Sequence, residues 1–464
     1  MTEPTTRQRE SGSAHKRVFI QTFGCQMNEY DTAKMLELLG RERYTRVDRP
    51  EGADLILINT CAIREKPEHK VYSLLGRLEG LKRRHPETVI GVAGCVAQQD
   101  GEKILKRARN VDFVFGTDNL FDLPEMLARV AEGERFARTQ WRPPKAPVEN
   151  FIPPEAIPGL TPGSADAAAP APVKAQLAIA KGCNNMCTFC VVPYTRGREV
   201  SREPDNILQE AAALVARGAK EIMLLGQNVN SYRAQGVDFV DLLHRLNGLP
   251  GLERIRYTSP HPKDFNEPLA RAHRDLPKLC EHLHLPFQSG SDRILRAMRR
   301  NHTIAEYLEK LAVARELVPG LALSTDIIVG FPGETEADFE ATLDVIRNVR
   351  FDHLYAFKFS PRSITPAAEL PGQVPEAVKA ERLSRILALH QANAQAANED
   401  MIGSRQEILV EGAHPRDPNS RMGRTRGHKS TKIPGCAAEP GALVTVEIVA
   451  ARKFSLVGKV QGDG

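Results

Sequence analysis

Short apolar runs alternate with helical segments through the first part of the chain. The runs Val18–Ile20, Leu55–Ile58 and Val89–Val92 have the length and composition of buried parallel strands. Helical segments at Thr32–Leu39 and Lys70–Arg83 separate them. Strands that alternate with helices predict a doubly wound α/β domain, whose ligands gather beyond the carboxyl ends of the strands.

The same alternation returns later in the chain and predicts a second α/β domain. Its candidate strands are Gln176–Ala180, Glu221–Leu225, Arg254–Tyr257, His282–Leu285, Leu323–Val329 and Leu354–Phe359. Helical stretches lie between them, so we expect a parallel, partly closed (β/α)6 barrel with its site at the carboxyl face. A long helical run from Pro375 to about Met401 ends this block, and short strand patterns beyond it predict a small all-β module.

These patterns divide the chain into four parts. The segment between the two α/β blocks is rich in proline and alanine and lacks hydrophobic periodicity, as in a linker. We predict an N-terminal domain at 15–140, a linker at 141–174, a barrel at 175–402 and a small β-barrel domain at 403–464.

Composition limits the class of protein. The chain has 464 residues, enough for two or three domains, and 41% hydrophobic with 26% charged residues is ordinary for a soluble globular protein. No apolar run approaches the roughly 20 residues that cross a bilayer. We therefore expect a cytoplasmic protein with no membrane partner, in which cysteines stay reduced and their spacing indicates metal binding or catalysis.

Three of the eight cysteines follow predicted strands of the first domain. Cys25, Cys61 and Cys95 each stand one to a few residues beyond a strand end. Because the carboxyl ends of parallel strands share one rim of a sheet, we expect these three side chains on the same rim. The alternative is three independent buried cysteines, since free cysteine is often buried.

Three further cysteines are packed into one loop after the first barrel strand. Cys183, Cys187 and Cys190 have the spacing i, i+4 and i+7, which lets three thiolates bind three corners of a 4Fe-4S cluster and leave one iron open. Zinc is the competing ligand, but a structural zinc site needs a fourth residue, and only a distant one such as Cys280 is available. Cys280 and Cys436 are otherwise interpreted as incidental.

Two motifs resemble known enzymes. The cysteine loop is similar to the signature of radical S-adenosylmethionine (SAM) enzymes. The segments Cys187–Glu199 (CTFCVVPYTRGRE) and Thr22–Asp31 (TFGCQMNEYD) resemble the MiaB-type tRNA methylthiotransferases, and the match runs from about Arg17 to Val460. The resemblance implies an N-terminal methylthiotransferase domain, a radical-SAM barrel and a small RNA-binding TRAM barrel. All six cysteines match ligand positions of two 4Fe-4S clusters.

The resemblance also implies a reaction. The implied reaction replaces an unactivated aromatic C–H bond with a C–S bond. No side chain can remove that hydrogen as a proton, so a radical cofactor is required. In the family, SAM serves as radical source and as methyl donor, and C2 of N6-dimethylallyladenosine at position 37 of tRNA is methylthiolated. The implied partners are the tRNA anticodon stem-loop and a reductant protein such as flavodoxin or ferredoxin, with the enzyme a monomer.

Weaker site assignments come from the barrel. The resemblance places SAM contacts at Phe189, Gly226, Gln227, Asn228, Ser289 and Asp326. Each assignment has an alternative. Phe189 would be a core residue, residues 226–228 a polar turn, the Ser289 segment a cap of the next helix, and Asp326 a strand charge that needs a partner in the protein. Arg196, Arg198 and Arg202 beside the loop either face phosphates or form an ordinary solvated surface.

The last block is basic. Its cations are predicted in a loop between candidate strands Glu407–Val410 and Leu443–Ile448, where they would bind RNA phosphates. They are Arg416, Arg421, Arg424, Arg426, Lys429 and Lys432, followed by Arg452 and Lys453. Two other functions stay open: a methylthiotransferase that acts on a ribosomal protein, and a metal-stabilised RNA-binding protein without catalysis.

Overall fold

The computed structural model describes residues 15–62, 65–141 and 172–460, without the side chains of residues 65–69. Most of the predicted linker at 141–174 therefore lies outside the described residues. Internal contacts divide the chain into two compact units, one of Met1–Ala62 with Lys66–Gln140 and one of Ile63–Glu65 with Trp141–Gly464. None of the helices in the described ranges is long and apolar enough to span a membrane.

The first unit is a six-stranded parallel sheet with helices. Its elements are β1 (Lys16–Thr22), α1 (Gln26–Arg41), β2 (Tyr44–Arg46), β3 (Leu55–Thr60), α2 (Glu65–Arg84), β4 (Val89–Gly94), α3 (Cys95–Asp100), α4 (Glu102–Arg107), β5 (Phe113–Phe115), α5 (Leu123–Ala131) and β6 (Phe136–Arg138). The strand order is β2-β1-β3-β4-β5-β6, and all pairs are parallel.

This order confirms the doubly wound prediction. The order reverses between β1 and β3, and such a reversal opens a crevice at the carboxyl ends of the two strands. Every residue of β3 is buried, as expected for a strand covered on both faces. Strands β2, β5 and β6 were not predicted, because three residues are too few to show a periodic pattern.

The second unit begins with the larger barrel. Its elements are β7 (Lys174–Ala178), β8 (Ala180–Lys181), α6 (Val192–Thr195), β9 (Val200–Ser201), α7 (Pro204–Ala216), β10 (Glu221–Leu225), β11 (Arg233–Ala234), β12 (Val237–Asp238), α8 (Phe239–Asn247), β13 (Arg254–Tyr257), α9 (Glu267–Asp275), β14 (His282–His284), α10 (Asp292–Met298), α11 (Ile304–Leu317), β15 (Ala322–Val329), α12 (Glu336–Val349), β16 (His353–Lys358) and α13 (Glu376–Glu399).

Six parallel strands form the wall of this barrel. Strands β7, β10 and β13 make one sheet and β14, β15 and β16 another, and a parallel bridge from Ile255 to Leu279 joins the two. Alternate residues such as Ile222, Ile255 and Leu283 point into a single core with the helices. The predicted partly closed (β/α)6 barrel is therefore confirmed, although β7 begins and ends two residues before its predicted bounds.

A small closed barrel completes the second unit. It consists of β17 (Arg405–His414), β18 (Asp417–Thr425), β19 (Ser430–Pro434), β20 (Leu443–Arg452) and β21 (Ser455–Val460), in the order β17-β18-β19-β21-β20. The predicted cationic loop is wrong in one respect, since most of it is the strands β18 and β19. Its positive charges concealed the strand pattern of those residues.

The small barrel is fixed to the amino-terminal end of the larger one. Arg254, the first residue of β13, donates to the Arg424 carbonyl at 2.8 Å and to the Glu407 carbonyl at 3.0 Å. Arg256 donates to the carbonyls of Arg426 and Thr425 at 2.8 and 2.9 Å. Both guanidinium groups are buried, so these charged donors satisfy main-chain acceptors that would otherwise lose their hydrogen bonds to water.

Candidate active site

The three cysteines of the first unit stand at the carboxyl ends of three neighbouring strands. Cys25 is the N-cap of α1 three residues after β1, Cys61 follows β3 directly, and Cys95 follows β4. Because β1, β3 and β4 are adjacent in the sheet, the predicted common rim is confirmed. The rim includes the switch point between β1 and β3, where doubly wound domains bind ligands.

A buried polar network joins the segments that carry these cysteines. The Asn28 side chain donates to the Thr60 carbonyl at 2.7 Å and to the Phe23 carbonyl at 3.1 Å. The Thr60 hydroxyl donates to the Ala93 carbonyl at 2.5 Å and accepts from the Val96 amide at 3.1 Å. The Asn28–Thr60 bond links the Cys25 and Cys61 segments, and the bonds of Thr60 link the Cys61 and Cys95 segments, so the network sets the relative positions of the three loops.

A glycine allows two of these loops to approach closely. Gly24 has a φ of +123°, and a Cβ placed on it would lie 2.3 Å from the Cys61 Cβ and 2.8 Å from its Sγ. Side-chain carbon atoms in contact are normally about 3.5–4.0 Å apart. The residue before Cys25 therefore touches Cys61, which brings the first two cysteine segments into direct contact.

The barrel cysteines lie in the loop that follows β7 and β8. Gly182 starts the loop with a φ of +74°, and a Cβ there would lie 2.0 Å from the Arg198 carbonyl oxygen. The Gly182 amide donates to the Gln227 side chain at 2.6 Å, and the Cys183 amide donates to the Gly197 carbonyl at 3.1 Å. The loop is thereby fixed at the carboxyl face of the barrel.

The middle of the loop is attached to the end of α10. The Thr188 amide donates to the Met298 carbonyl at 3.1 Å, and its hydroxyl donates to the Ala297 carbonyl at 2.9 Å. Phe189 packs edge-on against Phe331, with ring centroids 6.5 Å apart. Its ring is only partly buried in this cluster, so both of its predicted roles, core residue and cofactor contact, agree with its position.

The thiols of this loop lie close enough to affect one another. Burial raises the pKa of Cys183, and burial followed by the charge of Cys187 raises the pKa of Cys190 to about 12. Main-chain amides of Asn185 and Val192 donate to the sulfurs of Cys183 and Cys190, each at 3.5 Å. Bound iron deprotonates such thiols, and these amides stabilise sulfur that carries negative charge.

Zinc fits this loop poorly. Across the described ranges, no three His, Cys, Asp or Glu side chains are arranged to hold a single metal ion. One zinc ion needs all its sulfurs at about 2.3 Å from the same point, whereas a cluster binds each thiolate through a different iron. Cys280 precedes β14 and lies at the amino-terminal end of the barrel, opposite the loop, so it cannot be a fourth ligand.

The first group of predicted SAM contacts follows β10. Gly226, Gln227 and Asn228 come directly after the strand at the carboxyl face. The Gln227 side chain accepts a hydrogen bond from the main-chain amide of Gly182 in the cysteine loop. Asn228 is 1% exposed and its side-chain amide donates to Asp264 at 2.8 Å, while its side-chain oxygen Oδ1 is buried and accepts no hydrogen bond from the described residues. That oxygen is available to a ligand with an N–H or O–H donor.

Ser289 and Asp326 have local partners. Ser289 is fully buried, and its hydroxyl accepts from the amide of Ser291, the N-cap of α10. Asp326 is the fifth residue of β15, and its carboxylate lies 3.5 Å from the Nε2 atom of His284. The Asp326 carboxylate, a charged group within an apolar strand, therefore has a polar partner in His284. A direct contact of either residue with SAM stays a prediction.

The basic residues after the loop do not form one surface. Arg202 is 1% exposed and pairs with Glu210 at 2.5 Å, which makes it a structural arginine of the barrel wall. Arg196 is also buried, and only Arg198 is exposed. Neither alternative, a phosphate-binding face or an ordinary solvated surface, therefore holds for all three arginines, because two of them are buried.

The cations of the small barrel also have protein partners. Arg426 makes two bonds of 2.7 and 2.8 Å to Glu281, and Lys429 lies 2.8 Å from Asp352. Both residues lie in the β18–β19 turn, which faces the larger barrel. Partly buried carboxylates on the larger barrel pair with these two cations, so they are not the unpaired loop cations that the sequence predicted. Phe454, in the β20–β21 turn beside Arg452 and Lys453, is by contrast 56% exposed.

Sequence reasoning missed two groups near the cysteines. The first is the pair Asn59 and Thr60, whose signal was a polar end on an otherwise apolar strand. The second is Arg300, whose Nη1 atom donates to the Cys187 sulfur at 3.7 Å. Nothing in the local sequence marks Arg300, since the contact joins residues 113 positions apart.

Three family models match the chain in succession. Residues 17–116 match uncharacterized protein family UPF0004, residues 177–346 match the radical SAM superfamily, and residues 399–460 match the TRAM domain. A tRNA-2-methylthio-N(6)-dimethylallyladenosine synthase of Moorella thermoacetica is 45% identical over 452 residues, covering 96% of this chain and 99% of that protein. The chain belongs to the MiaB-type tRNA methylthiotransferase family. A second family member, from Alkalilimnicola ehrlichii and with the same name, is 46% identical over 454 residues, covering 96% of this chain and 98% of that protein.

A solved radical-SAM enzyme has a similar fold. The radical S-adenosylmethionine methyltransferase TsrM from Kitasatospora setae, solved with cobalamin and a 4Fe-4S cluster, covers 76% of this chain and 74% of its own, with a TM-score of 0.55 and 13% identity. At that identity the likeness shows the fold alone. The MiaB-type assignment made from the two motifs is confirmed by the full-length relatives.

Proposed function

We propose that this chain methylthiolates C2 of N6-dimethylallyladenosine at position 37 of tRNA, giving 2-methylthio-N6-dimethylallyladenosine. The observation that carries the proposal is similarity along 96% of the chain to a synthase whose name states that product. The match includes all three domains, so the parts for sulfur transfer, radical formation and RNA binding are inherited together. The domain boundaries 15–140, 141–174, 175–402 and 403–464 are part of this proposal.

Two sets of cysteines would hold two 4Fe-4S clusters, one at Cys183, Cys187 and Cys190 and one at Cys25, Cys61 and Cys95. Together with SAM, the clusters would supply one-electron radical chemistry and a methylated sulfur, neither of which side chains can provide. The chain's own residues position these ligands. Main-chain amides in the loop donate to two sulfurs, and the Asn28–Thr60 network holds the rim of the first unit.

The SAM contacts are proposed at the carboxyl face of the barrel. Asn228 has a buried oxygen ready to accept from an ammonium group, and Gln227 connects the β10 end to the cysteine loop. Phe189 offers a partly exposed ring to an adenine. Ser289 and Asp326 complete the proposed set from β14 and β15.

The tRNA contact is proposed at the β20–β21 turn of the small barrel. Phe454 is exposed and stands beside Arg452 and Lys453, and an aromatic ring with adjacent cations can stack on a base and bind phosphate. The anticodon stem-loop is the proposed substrate region. A flavodoxin or ferredoxin as reductant, a monomeric state and a cytoplasmic location stay predictions.

Matched cysteine variants test the division of work. Cys187→Ala should abolish reductive cleavage of SAM, because it removes a ligand of the cluster that binds SAM. Cys61→Ala should keep that cleavage and lose the thiolated product, because it removes only the sulfur-supplying site. Both are measured after anaerobic reconstitution, by chromatography of 5′-deoxyadenosine and by mass spectrometry of tRNA digests. Equal loss of cleavage in both variants would contradict separate roles.

The substrate is tested with two tRNAs that differ only in the dimethylallyl group. We expect product from the dimethylallylated tRNA and none from the unmodified one. Equal product from both would refute the proposed substrate, and product only on a ribosomal protein would favour the protein-modifying relatives. Wild-type iron content decides whether two clusters form: about eight irons per chain support the proposal, and about four oppose it.

A further inference from the structure

Arg300 is a buried arginine beside the barrel cysteine loop. Its side chain is enclosed, with the residue 7% exposed, and it donates from Nη1 to the Cys187 sulfur at 3.7 Å and from Nη2 to the Pro286 carbonyl at 3.0 Å. Its neighbours Arg299 and Asn301 both have left-handed backbones, with φ of 57° and 48°. Two such residues define a sharp turn after α10, which directs the Arg300 side chain at the loop.

The partners of Arg300 differ from those of other buried arginines. Arg202, Arg256 and Arg382 pair with Glu210, Glu221 and Glu334 at 2.5, 2.9 and 2.7 Å. The two side-chain hydrogen bonds of Arg300 go instead to a carbonyl and a thiol, which are neutral groups. Burying a guanidinium is costly unless an anion compensates it.

A cluster in the loop would supply that anion. An oxidised 4Fe-4S cluster with three thiolates has a net charge of about −1, and one added electron makes it about −2. The Arg300 guanidinium lies 3.7 Å from the Cys187 sulfur, so its positive charge stands beside the sulfurs that would carry the negative charge of the cluster. The guanidinium therefore favours negative charge on these sulfurs, and it favours the more negative reduced state most.

We propose that Arg300 is a positioning residue that raises the reduction potential of the cluster at Cys183, Cys187 and Cys190. The inference rests on the proposed function, since it requires a cluster in that loop. One electron enters from an external low-potential reductant, no iron–thiolate bond breaks, and the fixed guanidinium stabilises the added charge. Hydrogen bonds to cluster sulfurs are a known means of setting such potentials.

Fixed geometry makes this effect specific. Thr188, one residue after Cys187, is bonded to the Met298 and Ala297 carbonyls at the end of α10. The helix end and the loop are thereby joined by contacts that do not include Arg300. Substituting Arg300 should therefore change the charge near the sulfur and leave the attachment of the loop in place.

The test uses the full chain with Cys25, Cys61 and Cys95 replaced by alanine, so that only one cluster contributes. The variants Arg300→Gln, Arg300→Met and Arg300→Lys are compared with this parent. Arg296→Gln is the control, since Arg296 is an exposed arginine of α10, the helix that ends two residues before Arg300. Each protein is reconstituted anaerobically, its iron and sulfide are counted, and its midpoint potential is measured by a dithionite titration followed by electron paramagnetic resonance.

We expect both neutral variants to disfavour reduction about tenfold, which is about 59 mV for a one-electron couple. The lysine variant should lie between them and the parent, because it keeps the charge and loses the planar donor. The Arg296 control should match the parent. These results would support the inference.

Two outcomes would overturn it. One is an unchanged midpoint in both neutral variants with four irons retained. The other is loss of the cluster in both, which would make Arg300 an assembly residue and not a determinant of potential. A parent chain that binds no cluster contradicts the proposed function itself, so the two failures are distinguishable.

Discussion

One methyl group at Gly24 should remove the cysteine site of the first unit. The φ of +123° at Gly24 is one that other residues adopt only with strain, at roughly 1–3 kcal/mol. An alanine Cβ would also lie 2.3 Å from the Cys61 Cβ. Relief of that overlap requires a shift of about 1.2 Å, and overpacking of this kind costs roughly 1–3 kcal/mol more.

Gly133 provides the matched control. It has a φ of +88°, and a Cβ there would have no described atom within 4 Å. Gly133→Ala therefore includes backbone strain without the overlap. We expect Gly24→Ala to lower the free energy of unfolding by roughly 1–3 kcal/mol more than Gly133→Ala does.

Two measurements check this prediction. Urea unfolding of the apoprotein, followed by circular dichroism, gives the stability difference. Iron and sulfide counts after anaerobic reconstitution should give about four irons for Gly24→Ala and about eight for Gly133→Ala, since only the first displaces Cys61. If Gly24→Ala equals its control in both measurements, the close approach of the two loops does not hold the site.

Two further predictions concern the small barrel and its contacts. Phe454→Ala should weaken tRNA binding at least about fivefold, since stacking on one base contributes about 1–3 kcal/mol. Arg426→Gln should leave tRNA binding intact and lower the free energy of unfolding by about 1 kcal/mol, because it removes an ion pair within the protein. Fluorescence anisotropy with labelled tRNA and urea unfolding measure the two effects, and an equal loss of affinity in both variants would contradict them. Burial lowers the pKa of His353 and of His390 to about 4, so both are neutral in the folded chain, and stability should be full above pH 6.5 and fall as pH drops towards 4. Urea unfolding across this window tests the sign, and the slope should be shallower in a chain with both histidines replaced by glutamine.

Strong local signals made much of the larger barrel predictable. Helices α10 and α11 begin at residues that carry a local signal, because Ser291 and Thr303 are N-caps whose side chains accept hydrogen bonds from main-chain amides. Strands β10 and β13 were equally clear, since apolar runs between turns define them. The common rim of the first three cysteines followed from parallel strand order alone.

Contacts between distant segments limited the rest. The charges of Arg426 and Lys429 were visible in the sequence, but Glu281 stands 145 positions from Arg426, and only the fold shows that they meet. The same holds for Arg300 and Cys187. A sequence shows which residues can form an ion pair or a sulfur contact, whereas packing decides whether they meet solvent, RNA or protein.

The attachment of the small barrel limits how this enzyme can be divided or recombined. The carbonyls that receive Arg254 and Arg256 belong to Glu407, Thr425 and nearby residues of the small barrel. A chain that ends before this barrel would leave two buried guanidinium groups of the larger barrel without those acceptors. Any transferable fragment that contains the larger barrel should therefore include the small barrel, and exchange of C-terminal domains between relatives should succeed only where the larger barrel keeps arginines equivalent to Arg254 and Arg256.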